Sequence, residues 1–167
     1  MTRWFDLAPC DGDFFGSASF RYSYPIELPV SSEQVWAGLT SDEPLSWCRL
    51  LSHGRYTSER PFGVGTTRTI RAAGLLRLRE RFFRWDEGRR QSFTVVQASL
   101  PMFRQFGEDY LLEPTPSGCR FTWTFAFEPG PLLKPVGPLA GPPNSVLFGA
   151  FVRDTRRHFA VTTGPTG

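Results

Sequence analysis

The chain has 167 residues, 40% of them hydrophobic and 15% aromatic, including 16 Phe and 5 Trp. That length fits one domain with a full core, and the apolar load excludes a disordered chain. A net charge of +3, carried by 18 Arg and the lone Lys134 against 16 acids, is too mild to mark a nucleic-acid binder, so no nucleic acid is expected as a partner.

In chain order, residues 1–16 carry Trp4, Phe5, Phe14 and Phe15 without a clear period and read as an irregular N-terminal arm. No apolar leader is evident there and no apolar run reaches ~18 residues, so neither a signal peptide nor a membrane span is expected. Over 17–28, Phe20, Tyr22, Tyr24 and Ile26 alternate and predict a strand. Ser31 or Ser32 can then cap a helix with Glu33 and Gln34 in its first turn and Val35, Trp36 and Leu39 on its apolar side. Pro44 ends that helix, and Leu45–Cys48 reads as the start of a second short one. From about 49 to 129, turn signals at Gly54, Pro61–Gly65, Gly74, Glu87–Gly88, Pro101 and Pro116–Gly118 predict six strands in an antiparallel meander. Prolines 135, 138, 142 and 143 make 129–144 an interruption, a lid or a surface detour. A last helix follows, N-capped by Asn144 or Ser145, with Leu147, Phe148, Phe151, Val152 and Phe159 as its apolar face. Residues 161–167 read as a flexible tail. The order strand, helix pair, six strands, helix is an α+β arrangement.

The hairpins fix which residues share a face. With Gly74 at the centre of a turn, Ala72 faces Leu76, Ile70 faces Leu78, Arg68 faces Glu80 and Thr66 faces Phe82. Arg71, Arg77, Arg79 and Arg81 fall on the opposite face. A two-residue turn at Glu87–Gly88 sets Phe82 against Phe93 and Glu80 against Val95, with the "FF" at 82–83 as the place for a bulge. A turn at Pro116–Ser117 sets Leu112 against Phe121, Tyr110 against Trp123, Glu108 against Phe125 and Phe106 against Phe127. Glu80 and Glu108 therefore point inward among apolar groups, and the arginines point out. An inward carboxylate is costly unless paired. Arg68 and Glu80 form either an ion pair within a core or the polar part of a cavity.

The segments "LPVSSEQVWAGLTS" (28–41), "GVGTTRTI" (63–70), "LRERFFRWDEGRRQSFTV" (78–95), "GEDYLLEPTPSGCRFTW" (107–123) and the closing helix together resemble the START-like or SRPBCC superfamily, often described as polyketide cyclase/dehydrase and lipid-transport-like. The resemblance covers 17–160 and implies a helix-grip fold. There, a curved antiparallel sheet of about seven strands, with two short helices after the first, wraps a long C-terminal helix around a hydrophobic cavity. It also implies a small hydrophobic ligand, such as a lipid, polyketide or aromatic metabolite. The Pro-rich stretch before the last helix departs from the family pattern.

Within that frame Glu80 and Glu108 are the candidate catalytic groups, as general acid or base of an aromatase or cyclase reaction. Arg68, Ile70, Leu78, Phe82, Phe93, Val95, Phe106, Tyr110, Phe121, Trp123, Phe125 and Phe151 are the candidate ligand-binding residues. An alternative is an interaction module that uses the outward arginines. His53 and His158 lack neighbours at metal-ligand spacing, so no metal is expected, and no cofactor is implied. "GVGTTR" lacks the strand-loop-helix context of a phosphate loop. Cys10, Cys48 and Cys119 are too scattered for a disulfide framework, which fits a reducing cytoplasm. The oligomeric state is left open.

Overall fold

The computed structural model describes residues 2–135 and 141–161, with side chains in the last helix described from Ser145 onward. The elements are β1 (Phe5–Asp6), α1 (Phe14–Ser17), β2 (Phe20–Leu28), α2 (Ser32–Leu39), β3 (Leu51–Tyr56), β4 (Thr67–Ala72), β5 (Leu76–Asp86), β6 (Arg90–Ala98), β7 (Phe103–Thr115), β8 (Gly118–Pro129) and α3 (Gly141–Val161). Seven strands form one curved antiparallel sheet in the order β2-β8-β7-β6-β5-β4-β3, a half-barrel that grips α3. This is the expected α+β helix-grip architecture. Pro25 is tolerated in β2 because β2 is an edge strand with no ladder partner on one side.

The expected registers are present. Arg68 pairs with Glu80, Ile70 with Leu78 and Ala72 with Leu76; Glu80 pairs with Val95 and Phe82 with Phe93. Leu112, Tyr110, Glu108 and Phe106 meet Phe121, Trp123, Phe125 and Phe127. The β5–β6 turn differs from expectation: it spans three residues, Glu87–Arg89, and Asp86 pairs with Arg90. The bulge between Phe82 and Arg84 absorbs the extra residue, which is why the register nearer the sheet centre is unchanged. Gly54 marks a bulge inside β3 instead of a turn, and a Cβ there would lie 2.6 Å from the Pro44 carbonyl oxygen.

Three local expectations are corrected. The segment 44–47 forms turns and not a second short helix. The last helix starts at Gly141, upstream of Asn144 and Ser145, because Pro142 and Pro143 occupy its first turn, where backbone N–H groups have no helical acceptor. Of the proline-rich stretch before it, 136–140 lies outside the described residues, as does 162–167 of the tail. The arm is not irregular. β6 stays paired with β7 only from Arg90 to Thr94, and residues 5–10 fill the gap where the two diverge. Leu7 N–H donates to the Val96 carbonyl (3.0 Å), Ala8 N–H to that of Arg104 (2.9 Å), and Cys10 N–H to Thr94 Oγ1 (2.9 Å). Gly107 makes room for this wedge, since a Cβ there would sit 3.1 Å from Cys10 Sγ. Phe14 and Phe15 then pack with Phe83 and Ala126 on the outer face.

At the start of α2, Ser31 and not Ser32 is the cap. Its Oγ accepts from Gln34 N–H, and the Gln34 side chain accepts from Ser31 N–H. The inner sheet face and α3 share one apolar core. Phe148 stacks on Phe125 with ring centroids 3.9 Å apart, and Phe151 lies 5.8 Å from Trp123. Phe93, Tyr110, Phe121, Trp123, Phe125 and Phe127 are wholly inaccessible to solvent. Each such side chain contributes about 1.5–3 kcal/mol by burial.

Candidate functional site

The inner face carries a polar cluster at its centre, on β4, β5 and β7. Arg68 Nε donates to Glu80 Oε2 at 2.5 Å, with both side chains almost fully buried. The guanidinium carbon lies 4.7 Å from the Phe93 ring centre, 5.2 Å from that of Phe82 and 5.9 Å from that of Tyr56. These rings favour the cation electrostatically but accept no strong hydrogen bond. Arg68 Nη1 and Nη2 are buried and have no hydrogen-bond partner among the described residues. Burial opposes the charge on Arg68, while the adjoining Glu80 carboxylate holds it protonated. Burial pushes the Glu80 carboxyl up, and the adjoining guanidinium pulls it back down.

Glu108 sits beside this pair. Its Oε2 accepts from the Tyr110 hydroxyl at 2.9 Å and from Trp123 Nε1 at 2.8 Å. Burial, with the Glu80 charge in second place, raises its carboxyl to about 8, against smaller lowering effects from Trp123, Arg68 and Tyr110. Near neutral pH it therefore mostly holds its proton. Tyr110 is itself pushed well up by burial and then by Glu108, so it remains a hydrogen-bond donor. The cluster is then close to neutral overall: one ion pair, one carboxylic acid and one phenol.

A cavity of about 60 Å³ opens next to the cluster, between the sheet and α3. Arg68, Ile70, Leu78, Glu80, Phe106, Glu108, Tyr110 and Phe151 line it, which brings together eight of the fourteen residues singled out in the sequence. Phe82, Phe93, Val95, Phe121, Trp123 and Phe125 do not reach it. They form packed core behind it, where Phe82 and Phe93 flank Arg68 and Trp123 holds Glu108. The sequence reading missed Leu45, Leu51, Ala72, Leu76, Met102, Phe103, Leu147 and Phe148 as lining residues. Among these Leu51, Leu76, Met102 and Leu147 are half-buried and form the mouth. The volume suits a few water molecules. Pockets for drug-sized ligands measure roughly 300–1,000 Å³.

The remaining candidate chemistry is quieter. Burial raises the Cys10 thiol to about 11 and the Cys48 thiol to about 12, and all three cysteines are buried and unpaired. Among the described residues, no three His, Cys, Asp or Glu side chains lie close enough to hold a metal ion. Arg77, Arg79 and Arg81 face outward, where Arg79 covers the Trp4 ring at 4.0 Å and bonds Gln97 Oε1 at 2.7 Å. Among the described residues, no helix is long and apolar enough to cross a membrane.

The profile of a family described as polyketide cyclase / dehydrase and lipid transport matches residues 19–159. An uncharacterised protein of Mycobacterium tuberculosis is 28% identical over 156 residues, covering 91% of this chain and 93% of its own. Among solved structures, the protein XoxI of Bacillus cereus superposes with a TM-score of 0.68 at 16% identity, covering 87% of this chain and 99% of its own. A protein of Thermus thermophilus gives 0.63 at 15% identity, with 86% and 98% covered. The structural likenesses show the fold. On the extent of the family match, the chain belongs to the polyketide cyclase/dehydrase and lipid transport family, with the START-like (SRPBCC) helix-grip fold.

Proposed function

We propose that the protein binds a small, mostly apolar molecule with one oxygen-bearing end, a carbonyl, hydroxyl or carboxyl, in the cavity between the sheet and α3. The observation that carries this reading is Arg68: a fully buried guanidinium that lines the cavity with two N–H-bearing nitrogens unpartnered. Buried donors left wholly unmet cost about 1–3 kcal/mol each, so these two nitrogens call for an oxygen in the void, from water or from a ligand. Glu80 fixes the guanidinium by its Nε edge and leaves the other nitrogens to the ligand. The apolar part of the ligand would lie along Ile70, Leu78, Phe106 and Phe151. A ligand of lipid or polyketide size needs more than the present 60 Å³, so α3 and the mouth side chains Leu51, Leu76, Met102 and Leu147 must shift to admit it. Three buried thiols outside any disulfide support a reducing cytoplasm as the setting of this proposed function.

A second reading, a cyclase or dehydrase activity, is favoured by Glu108. A carboxyl at about 8 can take and return a proton near neutral pH. As a base it would remove a proton from the carbon next to a ligand carbonyl, and Arg68 would hold the resulting enolate oxygen. Glu80, engaged by Arg68, is assigned to positioning.

The test is titration with 1-anilinonaphthalene-8-sulfonate, an apolar probe with one anionic end. Bound fluorescence should saturate for the natural chain and fall at least tenfold in affinity for Arg68→Met combined with Glu80→Leu, a pair that leaves no lone buried charge. Equal affinity in both would sink the reading. For the enzymatic version, turnover of an enolisable polyketide should rise with pH through about 8 and lose that limb in Glu108→Gln.

A further inference from the structure

Six large hydrophobic side chains stand exposed among the described residues, and four of them sit around the cavity mouth: Leu50, Leu75, Leu132 and Val146. Each belongs to an apolar pair whose second member turns inward. Leu51, Leu76 and Leu147 line the cavity, and Leu133 packs against the core. The pairs come from four separate segments, brought together by the backbone. Ala73 N–H donates to the Leu50 carbonyl (2.7 Å), which joins the β4–β5 turn to the start of β3. Ser99 N–H donates to the Arg77 carbonyl (2.9 Å), which brings the loop after β6 alongside β5. Leu132 N–H donates to the Pro101 carbonyl (3.1 Å), next to the mouth residue Met102. Val146 precedes Leu147 on α3.

Bases flank this rim, with the acids Asp154, whose carboxylate accepts from Arg49 N–H, and Glu43, near Leu51, set among them. The first three pairs each have a base as immediate neighbour, in Arg49-Leu50-Leu51, Leu75-Leu76-Arg77 and Leu132-Leu133-Lys134. Arg71 stands directly across from Arg77 on the neighbouring strand. None of these four bases forms an ion pair among the described residues. Outward aliphatic tips flanked by bases suit a surface that is apolar below and negative above. The tips offer no aromatic or hydrogen-bonding anchor of the kind that dominates protein interfaces.

We infer that the cavity mouth docks on an anionic lipid bilayer, with Leu50, Leu75, Leu132 and Val146 entering the headgroup boundary and Arg49, Arg71, Arg77 and Lys134 meeting lipid phosphates. The membrane then faces the opening through which an apolar ligand would pass. The last point rests on the cavity reading; the docking itself does not.

The experiment is flotation of the purified full chain with vesicles of phosphatidylcholine alone or mixed with phosphatidylglycerol. The natural chain should float with the anionic vesicles, much less with the neutral ones, and lose binding as salt rises. Leu75→Ser combined with Leu132→Ser should weaken binding at least tenfold, and Leu75→Ser alone should weaken it measurably. Both sites are mostly exposed, so the fold is retained, which the melting temperature checks. Arg49→Glu with Lys134→Glu should abolish the preference for anionic lipid. Val64→Ser, equally exposed but away from the mouth, should change nothing. Absence of the natural chain from both floating fractions, or an equal loss in the Val64 variant, overturns the proposal. The first result would leave the rim to an acidic protein partner. Probe binding by the rim variants in solution separates the two readings: it should be unaffected, and it alone fails if the cavity reading is wrong.

Discussion

The inner face of one sheet carries two regions built by different means, a filled one on β6 and β8 and a polar one on β4, β5 and β7. Around Phe93, Phe121, Trp123 and Phe125 the inner face is filled by stacked and edge-on rings, with no accessible surface left. One step along the sheet, around Arg68, Glu80 and Glu108, the same face holds an ion pair, a carboxylic acid and a small void. The filled region shows what maximal packing of this sheet against α3 looks like. The polar region departs from it at a cost, since a buried ion pair seldom repays its desolvation against an apolar substitute. That contrast is the reason for proposing the polar region as the binding site: stability alone would have been served by continuing the filled one.

The largest expected effect breaks the polar region. Glu80→Leu alone strands the Arg68 cation and should cost about 3–5 kcal/mol in urea denaturation. Adding Arg68→Met should restore most of that stability or exceed the natural value, while probe binding is lost. If the double variant were as unstable as the single one, the pair would be a structural requirement and not a functional one. In the filled region, Phe121→Ala should cost a comparable ~3–5 kcal/mol through a cavity. It should leave the affinity for the probe nearly unchanged, because Phe121 does not reach the void.

The next effect is a pH slope. Glu108 titrates at about 8 in the folded chain and near 4.5 when exposed. Between those values the folded state holds a proton that the unfolded state has released. Stability from this group is therefore greatest below about 4.5 and declines as pH rises toward 8. Melting temperatures across that window should fall for the natural chain. Glu108→Gln should flatten the decline and be the more stable form at pH 8, by an amount on the order of a few kcal/mol. An unchanged slope in the variant would assign the decline to other groups. The smallest effect is chemical. With Cys10 and Cys48 raised to about 11 and 12 by burial, iodoacetamide at pH 8 should label the native chain only at the rate of its unfolding. Rapid labelling of either thiol would show that the wedge or the α3 contact opens readily.

The positions of Glu80 and Glu108 were legible in the sequence because turn residues fix strand register, and register fixes the face. Gly74 and Pro116–Ser117 were sufficient for that. The β5–β6 turn was misjudged by one residue, and the bulge at Phe82 compensated for it. Residues 5–10 gave no signal, since a two-residue strand has no period, and their place depends on β6 and β7 diverging. Leu51 and Leu76 were missed as lining residues because they open β3 and β5, where a half-buried side chain breaks no pattern, and Leu147 was legible only as part of the apolar face of α3. Their doubling with an exposed apolar neighbour was visible, but it acquires meaning only once four distant segments meet. The small volume of the void was not legible at all. It depends on how closely Phe106, Phe148 and Phe151 approach one another in space.

The most direct test of the cavity claim is native mass spectrometry of the natural chain beside the Arg68→Met, Glu80→Leu double variant, each followed by denaturing extraction. The natural chain should carry, or take up from a mixture of fatty acids and aromatic ketones, an apolar molecule with an oxygen-bearing end, and the double variant should not. A natural chain that stays empty under both conditions, or a double variant that retains the same molecule, would contradict the role given to Arg68.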